Sequence, residues 1–343
     1  MTSSLALQLC LLVPLLGAAG IVAAGRWPNL RETVTLVTSG ALFAVVLVVL
    51  AGLLQGDVPT VVLAEPLPGI PLALRPEPLG VLFAVLASGL WIITSVYSIG
   101  YMRAKREAHQ TRFYLCFAIA LFGAMGVAFA ENLLTLFVFY EVLTLSTYPL
   151  VAHAGTPEAV RGARTYLGIL LATSIGLFLP AILWTYSLAG TLQFRPGGLL
   201  AGHVGQTEAA LLLGLFVLGI GKAAVMPVHR WLPAAMVAPT PVSALLHAVA
   251  VVKAGVFTIT KVVIYIFGLD FLAGVPAERL LVYLAGFTVI AASVVALRQD
   301  NLKRLLAYST VGQLSYVVIA AMVHGMRRPM PSSSDTRVLP DAT

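Results

Sequence analysis

Charge is what this sequence has least of. Only 10% of its 343 residues are Asp, Glu, Lys or Arg, against about 25% in soluble globular chains. Hydrophobic residues make up 59% and mean hydropathy is +0.95. A soluble domain is excluded, and an all-α polytopic membrane protein is expected. Cysteine is almost missing too. Cys10 and Cys116 fall in separate apolar runs without ligand spacing, so neither a disulfide framework nor a metal site is expected. Acidic residues are in deficit, 14 against 21 basic, for a net charge of +7. That excess does not mark a nucleic-acid binder, because the basic residues stand in short segments between apolar runs, the pattern of positive-inside topology. The expected surroundings are a lipid bilayer.

What is present is a series of apolar runs. About ten are long enough to span a membrane, near 4–24, 33–54, 79–101, 112–130, 132–152, 164–188, 209–226, 241–267, 280–297 and 304–324. The first lacks the basic flank of a signal peptide and reads as a retained helix. Residues 58–80 are Pro-rich with some alternation and read as a hairpin-like surface loop, and the Gly-rich residues 193–206 as a second connecting loop. Glu131 and Asn132 mark a tight turn between the fourth and fifth spans, with Glu131 read as a solvated cap. Twelve loop Lys and Arg residues fall on one side, and only Arg75, Arg195 and Arg279 on the other. This puts the N-terminus outside a plasma (inner) membrane. The chain divides into 1–111 (three helices and the surface loop), 112–267 (a five-helix unit), 268–325 (two helices) and 326–343, read as a disordered polar tail.

The candidate functional residues are the titratable ones inside the spans. Each costs about 2.5–3.5 kcal/mol to insert, so each marks a position with a task. Glu141 lies about nine residues into its helix, roughly 14 Å deep, with Thr144 and Tyr140 at hand to satisfy it. Lys222 precedes Pro227, so it sits beside a helix broken at depth or else snorkels to the interface. A Lys–Glu pair across two helices is the simplest way to hold both charges, and it is a switch, since moving one partner changes the other's proton affinity. His247 and Lys253 share the eighth span behind Thr240 as cap and Pro241 as first residue. A histidine and a desolvated lysine there suit proton relay. Lys261, on nearly the same face as Lys253, either relays or snorkels, and His229 in the helix break takes a relay or a loop role. Tyr308, with Ser309 and Gln313, lines a hydrated path or packs between helices, and His153 reads as interfacial.

Three long motifs carry a resemblance. FVFYEVLTLSTYPLV, PVHRWLPAAMVAPTPVSALLHAVAVVKAGVF and LRQDNLKRLLAYSTVGQLSYV resemble the antiporter-like subunits of respiratory complex I (NADH:quinone oxidoreductase). They are equally similar to the large subunits of Mrp-type sodium/proton antiporters and of membrane-bound hydrogenases. The resemblance covers roughly residues 70–325. It implies two inverted five-helix repeats with a broken seventh helix, Glu141 paired with Lys222, and a relay through His247 or Lys253. It also implies ion transport of protons, with sodium as a second ion, beside other membrane subunits. Redox groups then belong to those partners, and no cofactor is expected in this chain. Against the family pattern the first repeat is complete and the second stops after two helices. A C-terminally truncated, non-conducting paralogue with an assembly role is therefore the alternative.

Overall fold

Helix boundaries follow the punctuation of the sequence. α1 (Ser3–Ala23) starts at Thr2, whose hydroxyl accepts the Leu5 amide. Proline opens α2 (Pro28–Leu54), α3 (Pro78–Ala104) and α6 (Pro157–Thr173), in a first turn where its missing N–H costs nothing. α4 (Gln110–Phe129) and α5 (Leu133–Val151) meet at the expected tight turn. Its cap is Asn132 rather than Glu131, because the Asn132 side chain accepts the Thr135 amide at 2.8 Å. α6 runs through one π-helical turn, Ser174–Phe178, into α7 (Leu179–Ala189). The structure, a computed structural model, describes residues 2–246, 250–273 and 275–326, so the tail assigned to 326–343 lies outside it apart from Met326.

Among the described residues, eight helices are long and apolar enough to cross a membrane. They are α1 to α5, the joined α6–α7, α13 (Pro276–Leu297) and α14 (Leu302–Met326). The expected seventh and eighth spans are not continuous. The run at 209–226 is helical only as the 14-residue α8 (Gln206–Gly219). The run at 241–267 divides into α10 (Thr240–Ala244) and α11 (Val251–Lys261), the latter prolonged by a π-helical stretch Val262–Phe267. Thr240 lies inside α10, behind Pro239, and makes no capping bond. Between α8 and α10 lie only short 3-10 turns and the four-residue α9 (Trp231–Ala234). Pro227, Pro233 and Pro239 keep the stretch between α8 and α10 from forming one helix, since each lacks an N–H donor and crowds a preceding carbonyl, whereas Pro241 stands in the first turn of α10, where proline is tolerated. A further four-residue helix, α12 (Leu269–Leu272), leads to α13.

The surface loop is a hairpin, as its alternation suggested. β1 (Val61–Leu67) pairs antiparallel with β2 (Ile70–Leu74). It lies across the α4–α5 turn: the Glu131 amide donates to the Ala73 carbonyl at 3.0 Å, and Asn132 Nδ2 to the Pro71 carbonyl at 2.7 Å. The loop after α7 joins it, with the Leu133 amide bonded to the Leu192 carbonyl and the Leu200 amide to the Ile266 carbonyl. Together they close one end of the bundle. α4 is its axis, 78% buried in its apolar window and packed on α1, α3 and α5. α13 and α14 pack mainly on each other at the periphery, 33% and 39% buried.

Candidate functional site

The site is built where helix α8 stops. Past Gly219 the chain turns through Gly221–Ala223, and Ala224 takes a left-handed conformation at φ 55°. Backbone groups freed at this depth need protein partners, since lipid offers none. They have them: the Trp231 indole donates to the Gly221 carbonyl at 2.8 Å, and the Lys222 amide donates to the Tyr140 hydroxyl at 3.1 Å. The Met226 amide donates to the Thr288 hydroxyl at 3.2 Å. Gly255 of α11 lies against this turn, and a Cβ there would overlap the Lys222–Ala223 peptide. Only glycine permits that approach.

Lys222 is fully buried. Its Nζ donates to the Tyr140 carbonyl at 2.8 Å and to the Thr144 hydroxyl at 2.6 Å, and lies 3.1 Å from the centroid of the Tyr140 ring. Snorkelling is ruled out. All of its direct contacts are neutral: a carbonyl, a hydroxyl and a π face. Glu141 is held differently. Both of its carboxylate oxygens are buried and lack a hydrogen-bond partner among the described residues. Tyr140 and Thr144, the groups expected to satisfy Glu141, serve Lys222 instead. The two charges do not touch. The ion pairs among the described residues are Arg31–Glu32, Arg103–Glu32 and Lys261–Glu77, and Glu141 is the chain neighbour of Tyr140, which Lys222 contacts.

The other candidates separate. Lys261 is also fully buried, beneath the hairpin, where its Nζ donates to the Ala130 carbonyl at 2.5 Å and meets Glu77 Oε2 at 3.2 Å. The Phe194 ring covers it at 4.2 Å. It does not snorkel either. Glu77 is the residue that sequence reasoning missed, and the available signal was its place directly before Pro78 at a helix start, where a carboxylate is favoured. Lys253, by contrast, is exposed and opens on a cavity of about 420 Å³ that neither Glu141 nor Lys222 lines. His229 is half-buried with Nδ1 lacking a partner, its ring 6.1 Å from that of Tyr308. Ser309 and Gln313 lie in a groove between α13 and α14. His247 lies outside the described residues.

Two residues beside the spans are partly or fully buried. His153, read as interfacial, is 5% exposed with both ring nitrogens unpaired, packed edge-on to Phe113. Burial pulls its pKa below the ordinary histidine value, and Arg112 adds to the shift. Glu131 is half-buried, and burial raises its carboxyl pKa against the opposing pull of Arg75.

Comparison with known proteins identifies the family. A family model described as NADH:quinone oxidoreductase/Mrp antiporter, TM, matches residues 130–330. A Staphylococcus aureus protein named antiporter subunit mnhA2 is 30% identical over 259 residues, 74% of this chain and 31% of that one. The chloroplastic NAD(P)H-quinone oxidoreductase subunit 5 of Zygnema circumcarinatum is 31% identical over 253 residues, 71% and 35% of the two chains. A chain of the Mrp complex from Dietzia sp. DQ12-45-1b superposes with a TM-score of 0.76 at 26% identity, covering 95% of this chain and 36% of that one. The archaeal membrane-bound sulfane sulfur reductase shares the fold, with a TM-score of 0.76 at 23% identity over 94% of this chain and 68% of that one. This chain spans about a third of the length of the curated relatives it matches. With the match running through the broken segment and its buried lysine, this multi-pass membrane protein belongs to the NADH:quinone oxidoreductase/Mrp antiporter transmembrane family.

Proposed function

We propose that the chain translocates protons as one subunit of a multisubunit membrane complex, an Mrp-type cation/proton antiporter or a complex I-like NADH:quinone oxidoreductase. In this reading Lys222 takes up and releases the proton, and Glu141 is its counter-charge. The observation that carries it is the neutral shell of Lys222 beside an unsatisfied Glu141. An ammonium donates to the Tyr140 carbonyl and Thr144 hydroxyl, and a neutral amine still donates to at least one of them. Both protonation states therefore fit the same pocket. A lysine locked in contact with a carboxylate would lose that freedom, because removing its proton leaves a buried anion unpaired. Approach of Glu141, or of charge from a neighbouring subunit, then shifts the proton affinity of Lys222.

His247 and Lys253 continue the path along the α10–α11 segment, with His229 and Tyr308 as further members at the break. The loop charges support an orientation with the N-terminus outside, and in this reading the membrane is the plasma membrane. Sodium is the second ion on the antiporter reading, and redox groups sit in partner subunits on the complex I reading.

The test is ion transport in inverted vesicles from cells expressing the chain with its operon partners. A sodium- or NADH-dependent pH change that disappears in Lys222→Ala is the expected result. A wild-type complex that assembles but moves no protons returns the chain to an assembly role.

A further inference from the structure

Three residues on one face of α6 run along the helix break. Gly162, Tyr166 and Thr173 are spaced by four and seven residues, so they point within about 40° of one another. Gly162 lies against the backbone of α9, where a Cβ would come within 2.6 Å of the Ala234 carbonyl oxygen. The Tyr166 ring stands edge-on to the Trp231 ring at 5.5 Å. Thr173 packs on Gly221, where a Cβ would come within 2.3 Å of the Thr173 hydroxyl. α6 therefore splints the backbone that α8 does not continue. Tyr166, which is fully buried, also reaches α5: its hydroxyl lies 2.5 Å from that of Thr147. Thr147 gives its own proton to the Leu143 carbonyl at 2.7 Å, so Tyr166 donates and Thr147 accepts. Thr147 stands one turn past Thr144, whose hydroxyl accepts from Lys222 Nζ. On the other side the Trp231 indole holds the carbonyl of Gly221, the residue before Lys222. The contacts close a ring from Lys222 through Thr144, Thr147, Tyr166, Trp231 and Gly221 back to Lys222.

We propose that Tyr166 is a positioning residue, which holds α5 and the break in the register at which Lys222 exchanges its proton. The inference rests on the reading of Lys222 given above. The acceptors of Lys222 belong to α5 and its backbone to the break, so contacts of 2.6 and 2.8 Å require the two to stay aligned. Proton exchange tolerates little misplacement of the reacting groups. The Lys222 side chain cannot keep that alignment itself, because its hydrogen bonds change as it gains and loses the proton. Two neutral ties persist in both states. One is the Lys222 amide on the Tyr140 hydroxyl, and the other is the Tyr166 bridge from Thr147 to Trp231. A single tie leaves the turn free to pivot about it. The second lies seven residues further along α5, about two turns, and stops the pivot.

The test compares the wild type, Tyr166→Phe, Thr147→Val, Thr147→Ser and Lys222→Ala in the inverted vesicles, with rates taken per assembled complex. Tyr166→Phe and Thr147→Val each break the bond from one side, and Tyr166→Phe keeps the ring on Trp231. Each is expected to lower the transport rate about tenfold and to displace the pH of half-maximal rate, since the hydrogen bonds around an amine set which protonation state is favoured. Thr147→Ser keeps the acceptor and is expected to transport as the wild type does. The double variant Tyr166→Phe/Thr147→Val is expected to be no worse than either single one, because both remove the same bond. Hydrogen exchange gives a readout apart from transport: amides of residues 219–226 should exchange faster in Tyr166→Phe, and those of the hairpin at 61–74 should not. A lower melting temperature with the pH profile in place marks a merely structural tyrosine and overturns the proposal. A wild-type rate and profile in Tyr166→Phe, beside transport abolished in Lys222→Ala, overturns it alone. Transport that survives in Lys222→Ala overturns the reading of Lys222 and this inference with it.

Discussion

Two lysines of this protein are fully buried, and they are held in opposite ways. Lys222, in the break after α8, touches a carbonyl, a hydroxyl and an aromatic face, while the nearby carboxylate of Glu141 is left unpaired. Lys261, under the hairpin, is in direct contact with Glu77 at 3.2 Å and with the carbonyl that ends α4. Burial alone therefore does not decide how a lysine is held. A direct ion pair in low dielectric locks both charges, because discharging either one strands the other. A neutral shell leaves the proton free to go. The surrounding backbone departs from a regular α-helix at both lysines: Lys222 sits among 3-10 turns, and Lys261 where α11 passes into a π-helical stretch beneath the β-hairpin.

The sharpest way to break this comparison is to remove each ammonium. Lys222→Ala should bring proton transport in vesicles to background while the chain still assembles with its partners. Lys261→Met should instead lower stability, by about 3 kcal/mol, because it leaves Glu77 without its buried partner. Denaturation of the purified chain in detergent would read that cost. Equal transport loss per assembled complex in both variants would erase the distinction.

Gly255→Val probes the break itself. Its added carbons fall on the Lys222–Ala223 peptide, and overpacking of this kind costs about 1–3 kcal/mol. The expected signature is a transport defect larger than the stability loss, with Gly255→Ala milder in both. Thr144→Val removes a single acceptor, the one at 2.6 Å from Lys222 Nζ, at about 1–3 kcal/mol. Transport should fall while the Lys261 end stays intact, as limited proteolysis of the hairpin would show.

The smallest effect lies outside the membrane. Burial lowers the proton affinity of His153 in the folded chain, so the unfolded chain binds more protons at mildly acidic pH. Stability from this residue is full above the ordinary histidine pKa and is lost as pH falls through the lower, folded value. His153→Gln should flatten the decline in melting temperature between about pH 7 and pH 5. An unchanged slope would assign the decline to another group.

Much of the candidate site was legible because charge is so scarce in this chain. Glu141 and Lys222 stand out of apolar runs at a glance, and Pro227 and Pro233 announce that the helix does not continue. The hairpin was legible from the alternation of residues 58–80, and the α4–α5 turn from Glu131 and Asn132. Orientation about the helix axis was not. Tyr140 and Glu141 are neighbours, yet successive helical residues point about 100° apart, and only the packed bundle shows that the tyrosine faces Lys222.

The same limit explains the three lysines. Sequence spacing put Lys253 and Lys261 on nearly one face of one helix, and could not say that one ends in an open groove and the other beneath a hairpin. Hydropathy, proline and charge determined that this is a membrane protein of broken helices with a few costly titratable groups, because the bilayer imposes that pattern locally. Which carboxylate meets which ammonium was decided by tertiary structure. Those contacts join residues far apart in the chain, and spacing along one helix carries no information about them.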